Sequence, residues 1–358
     1  MYKPERCNPV QTTSRRALTI LLFFLVLSQP ITAVKTQKRV EELTISNNFV
    51  FPCEIAKKYY PDTRLVYVVR GDIFPDALVA GPVAARDKAP ILLVNPKKLP
   101  EPVEKLFEEK NFDRAIIIGG PEAVSPRVEE KLARFAKVSR IWGGDRYETA
   151  AKTAEQFWGE AEKALIVSGD DFSHSIPATT LAHSMKAPIL LTKPGFIPRA
   201  TEKALETLST REVVLLGDTS VISPRVEKQL RENYRVSRLA GSNGYETSRL
   251  VAEHLHRQGW HNTYIAPGEE FQPVVVVGPV AASVRAVMLA SKPKKLGPQV
   301  WGFITKHTTA NNVVVTKGLP QQELDLFALR SLIPLIKNAW SGRSINRFPT
   351  ISFIHIFE

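Results

Sequence analysis

The chain has 358 residues, 44% hydrophobic and 23% charged. That is globular composition with material for two or three cores, and it excludes a collagen, a coiled coil or general disorder. The formal charge of +12 favours anionic partners.

Residues 1–34 stand apart from the rest. Lys3, Arg6, Arg15 and Arg16 precede an apolar run at 17–27, which Ser28, Gln29 and Pro30 break before the small residues Thr32 and Ala33. This describes a secretory signal peptide cleaved near Ala33. The run is short for a membrane span of about 20 residues. The alternative is an uncleaved signal anchor, the one way this chain would touch a membrane. Removing residues 1–34 would leave a charge of about +9 and Cys53 as the single cysteine, so no internal disulfide is expected. For an exported basic chain the favoured partners are acidic wall polymers or acidic lipid headgroups, not nucleic acid.

From residue 40 the chain repeats itself. Residues 89–93 (APILL) recur at 187–191, and 124–129 (VSPRVE) recur as 222–227 (ISPRVE), both 98 residues on. Ser139-Arg140 returns as Ser237-Arg238 and Tyr147-Glu148-Thr149 as Tyr245-Glu246-Thr247 in the same register. A third, looser copy is marked by 81–85 (GPVAA) reappearing at 278–282, and by Gly71, Gly169 and Gly268 in one column. The modules read as 40–138, 139–236 and a degenerate 237–330, with a tail at 331–358 that matches nothing upstream.

The second copy shows the pattern within one module. Helices are expected at 147–158, 173–185 and 199–208, and strands at 164–168, 188–192, 212–216 and 236–240. Ser223 reads as an N-cap with Pro224 at the first helical position, opening a fourth helix to about residue 233. Short continuous apolar strands alternating with helices imply parallel sheets covered on both faces. The fold class is therefore α/β, as three tandem small open parallel-sheet modules. Cys53 falls in the opening helix of the first copy, one turn from the Ala56, Ala154 and Ala252 column, and reads as a small packed residue.

Several of these segments resemble the cell-wall-binding repeat 2 family. They are 71–78 (GDIFPDAL) followed by 89–93, then 116–120 (IIIGG), 123–125 (AVS) and 140–150 (RIWGGDRYETA). The resemblance covers about residues 40–330 and fades after about 290. It implies modules of Rossmann-like or Toprim-like type in a pseudo-threefold arrangement. It also implies a secreted cell-surface protein attached non-covalently to an anionic envelope polysaccharide through grooves between modules. In such proteins the triplet often anchors an effector domain. None is visible here, so the chain is either the anchor alone or acts with an effector or surface-layer protein on another chain. The copies depart from the family pattern where Asp76 becomes His174 and Pro273, and where Asp145-Arg146 becomes Asn243-Gly244 and Asn47-Asn48. The junction of the first and second copies keeps most of the signature.

The candidate polymer-binding residues are Asp76, Arg140, Asp145, Arg146, Tyr147, Arg238 and Tyr245. Asp76 either neutralises a helix N-terminus or faces a strand-end crevice. Arg140 and Arg238 either fork onto an acidic sugar or tie modules together through Glu148 or Asp145. Gly119-Gly120 lacks the following lysine of a phosphate loop and reads as a turn before a Ser125-capped helix. Asp170, Asp171 and His174 have no second ligand group at metal spacing, and His254, His256 and His261 read as a surface face. No nucleophile elbow is present. A non-catalytic binding protein without metal or cofactor is expected. The alternatives are a small-ligand or enzymatic use of the strand-end crevices, or a surface-layer subunit.

Overall fold

The computed structural model describes residues 40–307 and 311–330. The expected signal peptide or anchor at 1–34 and the tail at 331–358 lie outside the described residues. Among the described residues twelve strands and twelve helices alternate. The first copy holds β1 (Val40–Thr44), α1 (Val50–Tyr59), β2 (Leu65–Arg70), α2 (Pro75–Asp87), β3 (Ile91–Val94), α3 (Glu101–Lys110), β4 (Arg114–Ile118), α4 (Pro126–Leu132) and β5 (Lys137–Ile141). The next copy runs α5 (Arg146–Phe157), β6 (Lys163–Ser168), α6 (Ala178–Met185), β7 (Ile189–Thr192), α7 (Arg199–Thr207), β8 (Glu212–Leu216), α8 (Pro224–Arg231) and β9 (Arg235–Leu239). The last has α9 (Gly244–Arg257), β10 (Asn262–Pro267), α10 (Phe271–Ser283), β11 (Ala286–Ser291), α11 (Pro298–Lys306), β12 (Asn312–Thr316) and α12 (Gln321–Arg330).

The strands form three separate four-stranded sheets, all parallel, in the orders β3-β2-β4-β5, β7-β6-β8-β9 and β11-β10-β12-β1. The middles of their inner strands are fully buried because helices cover both faces, which is why they read as apolar runs. The last sheet is closed by the first strand. Val40 to Thr44 pair with Asn312 to Thr316 at the edge that β5 and β9 occupy in the other two sheets. The strand ahead of each opening helix thus belongs to the preceding sheet. For the first copy, that preceding sheet is the last one in the chain. The opening helices follow the same cycle, α5 packing on α2, α9 on α6 and α1 on α10.

The helices α2, α6 and α10 pack on one another around a common pseudo-threefold axis. At their N-terminal ends Phe74, Phe172 and Phe271 form a closed triangle with ring centroids 5.4, 6.1 and 6.4 Å apart. One turn or two further on, Gly81 and Gly278 both abut Thr179. A Cβ on Gly81 would stand 2.2 Å from the Thr179 hydroxyl oxygen, so the close approach needs glycine there. One apolar core runs through all three modules along this axis, and two outer cores lie under the remaining helices of the first and second modules.

Two local expectations are corrected. The helix expected over 173–185 begins at Ala178, because Pro177 stands at its N-cap and bars the helical conformation from the residue before it. Ser223 caps α8 by accepting from the Val226 N–H, whereas the equivalent Ser125 forms no such bond and its buried hydroxyl is unpartnered. Cys53 lies buried in α1 with its thiol donating to the Phe49 carbonyl at 3.2 Å, and burial pushes its pKa up to about 12. It is an inert packed residue.

Candidate functional site

The C-terminal ends of each sheet's strands meet the N-terminus of the next copy's opening helix, and these junctions contain most of the candidate residues. The repeated helix-opening motif explains several of them. Asp145 and Asn243 occupy the N-caps of α5 and α9 and accept from the N–H groups of Glu148 and Glu246 at 2.8 and 3.0 Å. Thr149 and Thr247 accept from the N–H groups of Gly143 and Gly241, and Glu148 accepts from Gly144. The Asp/Asn and Tyr-Glu-Thr columns are in large part a helix cap that ties down the entering chain.

The two arginines of the Ser-Arg column point inward. Arg140 donates to the carbonyls of Gly119 and Val124 at 2.8 and 2.9 Å and to the Glu129 carboxylate at 2.6 Å, with its side chain 10% exposed. Arg238 repeats this with Gly217 and Glu227 at 2.7 and 2.8 Å. They pin the edge strand of a sheet to the turn and helix of the same module, not to Glu148 or Asp145 across a junction. The Pro-Arg-Val-Glu and Ser-Arg columns are the two halves of one ion pair.

At the first junction Asp76 lies at the start of α2, 7% exposed, with its carboxylate against Gly119. Gly119 has φ of +128° and no space for a Cβ, so glycine is required on both counts. Burial pushes the Asp76 pKa up to about 6, against the opposing pull of Arg70 and Arg146. Arg70 is engaged by Asp72 through two bonds of 2.6 Å. Arg146 donates to the Gly169 carbonyl at 2.5 Å and lies 3.5 Å from Asp170. Tyr147 is buried over Gly169 with its hydroxyl donating to Asp170 at 3.0 Å; Tyr245, only half-buried, lies over Gly268 and donates to Glu269 at 3.2 Å. The structure therefore gathers Asp76, Arg146 and Tyr147 around one helix end.

Three groups at this junction escape the repeat-based reading. Trp142 lies over Gly120 and is 45% exposed. The Lys193 ammonium stands 5.8 Å from the Tyr147 ring centre and 5.3 Å from that of Phe196, itself 50% exposed. Ala240 holds the Trp142 column in the next copy. A lone aromatic breaking a repeat column was the available signal.

The second junction is chemically different. A cavity of about 570 Å³ is lined there by His174, Asp218, Tyr245 and Glu269 together with serines, and no lysine or arginine lines it. His174 occupies the Asp76 column, 4% exposed, with Nδ1 2.7 Å from the Thr247 hydroxyl and Nε2 3.7 Å from Asp218. Burial holds its pKa below the ordinary histidine range, against Asp218 and Asp171. Among the described residues no group of three or more His, Cys, Asp or Glu is placed to hold a metal ion, and no helix is long and apolar enough to cross a membrane.

Residues 46–129 and 140–227 each match the model of the cell wall binding domain 2 (CWB2) family. Through these two segments the chain belongs to that family. The third module lies outside both matched segments and shares their four-stranded parallel sheet and central helix. The chain is 28% identical to the amidase enhancer of Bacillus subtilis over 75% of its own length and 35% of that protein's. It is 26% identical to the N-acetylmuramoyl-L-alanine amidase LytC of the same organism, over 84% of this chain and 59% of the relative. It thus spans between about a third and three-fifths of these curated relatives. Among solved structures, Cwp6 from Clostridium difficile shares the fold with a TM-score of 0.76 at 22% identity, over 83% of this chain and 48% of that one.

Proposed function

We propose that this CWB2 protein is a non-catalytic attachment protein of the cell surface. It holds an anionic wall polysaccharide at the junction of its first and second modules. The carrying observation is the exposed Trp142 ring seated over Gly120 at the strand-end groove, in a CWB2 segment. An exposed indole offers a flat apolar face to a sugar ring and an N–H to its hydroxyls. Lys193, held between Tyr147 and Phe196 without an ion pair among the described residues, supplies the charge for an acidic group. The net charge of +12 supports the same sign of partner. Export through residues 1–34 fits this reading. The two Bacillus relatives, an amidase and an amidase enhancer, support a second reading in which the modules also seat an amidase-type protein partner.

Cosedimentation of the full chain with purified wall polysaccharide, across a salt series, tests the first reading. Saturable binding that weakens with salt is expected, reduced about tenfold by Trp142→Ala and less by Lys193→Ala, with no change in unfolding midpoint. Folded protein that stays in the supernatant at low salt, or binds equally without Trp142, overturns it.

A further inference from the structure

A second cavity, of about 460 Å³, lies at the opposite end of the pseudo-threefold axis, where α2, α6 and α10 end. Its volume falls in the range of roughly 300–1,000 Å³ common to small-molecule sites. Trp158 and Trp260 line it, with His183 from α6 and the cationic side chains of Arg86, Lys186 and Arg285. No carboxylate lines it.

The state of each polar group matters. The Arg86 guanidinium lies 5.6 Å from the Trp158 ring centre and donates to Asp87 and to the Phe157 carbonyl. The Asp87 carboxylate also accepts from Tyr67 at 2.6 Å. Arg285 donates only to the Gln258 carbonyl, at 3.2 Å, and has no acidic partner among the described residues. The Lys186 ammonium has neither ion pair nor hydrogen bond among them, while its main chain is engaged, the N–H by the His183 carbonyl and the carbonyl by the Trp158 indole N–H, each at 3.1 Å. His183 stands edge-on to Trp260, with ring centres 6.5 Å apart, and its nitrogens bond to no described residue. Cations at helix C-termini answer the partial negative charge of the helix ends. That accounts for Lys186 and Arg285 singly. It does not account for two indoles and an unpartnered imidazole in the same hollow.

We infer that this axial cavity is a binding site for an anionic sugar, a hexose ring bearing phosphate or carboxylate. Lys186, Arg285 and His183 meet the anion, and Trp158 and Trp260 take the ring. The contrast with the strand-end junctions supports this assignment. There the arginines are engaged by Asp72, Glu129, Glu227 and main-chain carbonyls, whereas here two cations remain without an acid. The site uses none of the groove residues and stands or falls apart from the groove reading.

Intrinsic tryptophan fluorescence of the full chain, titrated with glucose 6-phosphate and with glucuronate, is the test; inorganic phosphate and glucose serve as partial ligands. The expected result is a saturable change with one or both anionic sugars, at least tenfold tighter than with either partial ligand. The two titrations show whether phosphate or carboxylate is preferred. Lys186 and Arg285 both have positive φ, so the charge-removing variants are Lys186→Asn and Arg285→Asn, asparagine being tolerant of that conformation. Each should weaken binding about tenfold, and Trp158→Phe should remove most of the signal. A Trp142→Ala chain, lacking the groove ring, should keep it. No saturable change, equal binding of inorganic phosphate, or indifference to both asparagine variants in folded protein overturns the assignment.

Discussion

Asp76 and His174 stand one repeat apart at equivalent ends of two strand-end junctions, and their surroundings shift them in ways that oppose each other with pH. Both are nearly buried. Burial raises the carboxyl of Asp76 from 3.8 to about 6, and lowers the imidazole of His174 below 6.5. In each case burial favours the neutral form. For Asp76 the folded pKa lies above the unfolded one, so its contribution to stability is complete below pH about 4 and lost as pH rises through about 6. For His174 the folded pKa lies below the unfolded one. Its contribution is present above pH about 6.5 and lost as pH falls through the folded value. One column therefore makes the first junction firmer in acid and the second firmer near neutrality. A repeat preserves backbone geometry while leaving the chemistry of each junction free to diverge.

The largest test of that divergence concerns the column beside the caps. Arg146 reaches the Gly169 carbonyl within its own copy, whereas Gly244 at the second junction lies so close to Ser173 of the preceding copy that a Cβ would stand 1.8 Å from its carbonyl oxygen. Installing the first junction's residue in the second, as Gly244→Arg, should cost about 3 kcal/mol or more of stability through forced backbone displacement. Chemical denaturation would show it, and an unchanged midpoint would mean that the second junction opens freely.

The internal pins come next. Arg140→Ala strands the Glu129 carboxylate and the carbonyls of Gly119 and Val124 and should cost on the order of 2–3 kcal/mol, whereas Arg238→Ala leaves Glu227 paired with Arg231 and should cost less. A chain that keeps its midpoint but no longer binds polysaccharide would return these arginines to the ligand surface.

The smallest effect is the pH contrast itself. Asp76→Asn should stabilise the protein at pH 7 by up to about 2 kcal/mol and flatten the rise in stability between pH 6 and 4. His174→Gln should remove the acid-side loss below pH 6.5 and leave the Asp76 dependence in place. Denaturant midpoints of the two variants across pH 4–8 would separate the junctions; identical profiles would show that neither group titrates in the stated sense.

Much of this protein was determined by its sequence. The 98-residue offset, the apolar runs bounded by glycine and the capped helices follow from local rules of periodicity, capping and strand burial, which act over a few residues and so survive in a linear reading. The alternation of short buried strands with helices was sufficient for parallel α/β modules. The roles of the repeated polar columns were not so legible. Arg140 reads equally as a ligand fork or a tie until the chain is folded, because Glu129, its partner, is named by geometry and not by spacing. The pairing of β1 with β12 joins residues some 270 positions apart, a contact that no local pattern encodes. The phenylalanines at 74, 172 and 271 repeat in register, yet that they touch one another is a property of the axis alone. The tertiary structure likewise decided which cations remain free, since charge compensation depends on which acid comes within a few ångströms. Composition counts charges, and only packing pairs them.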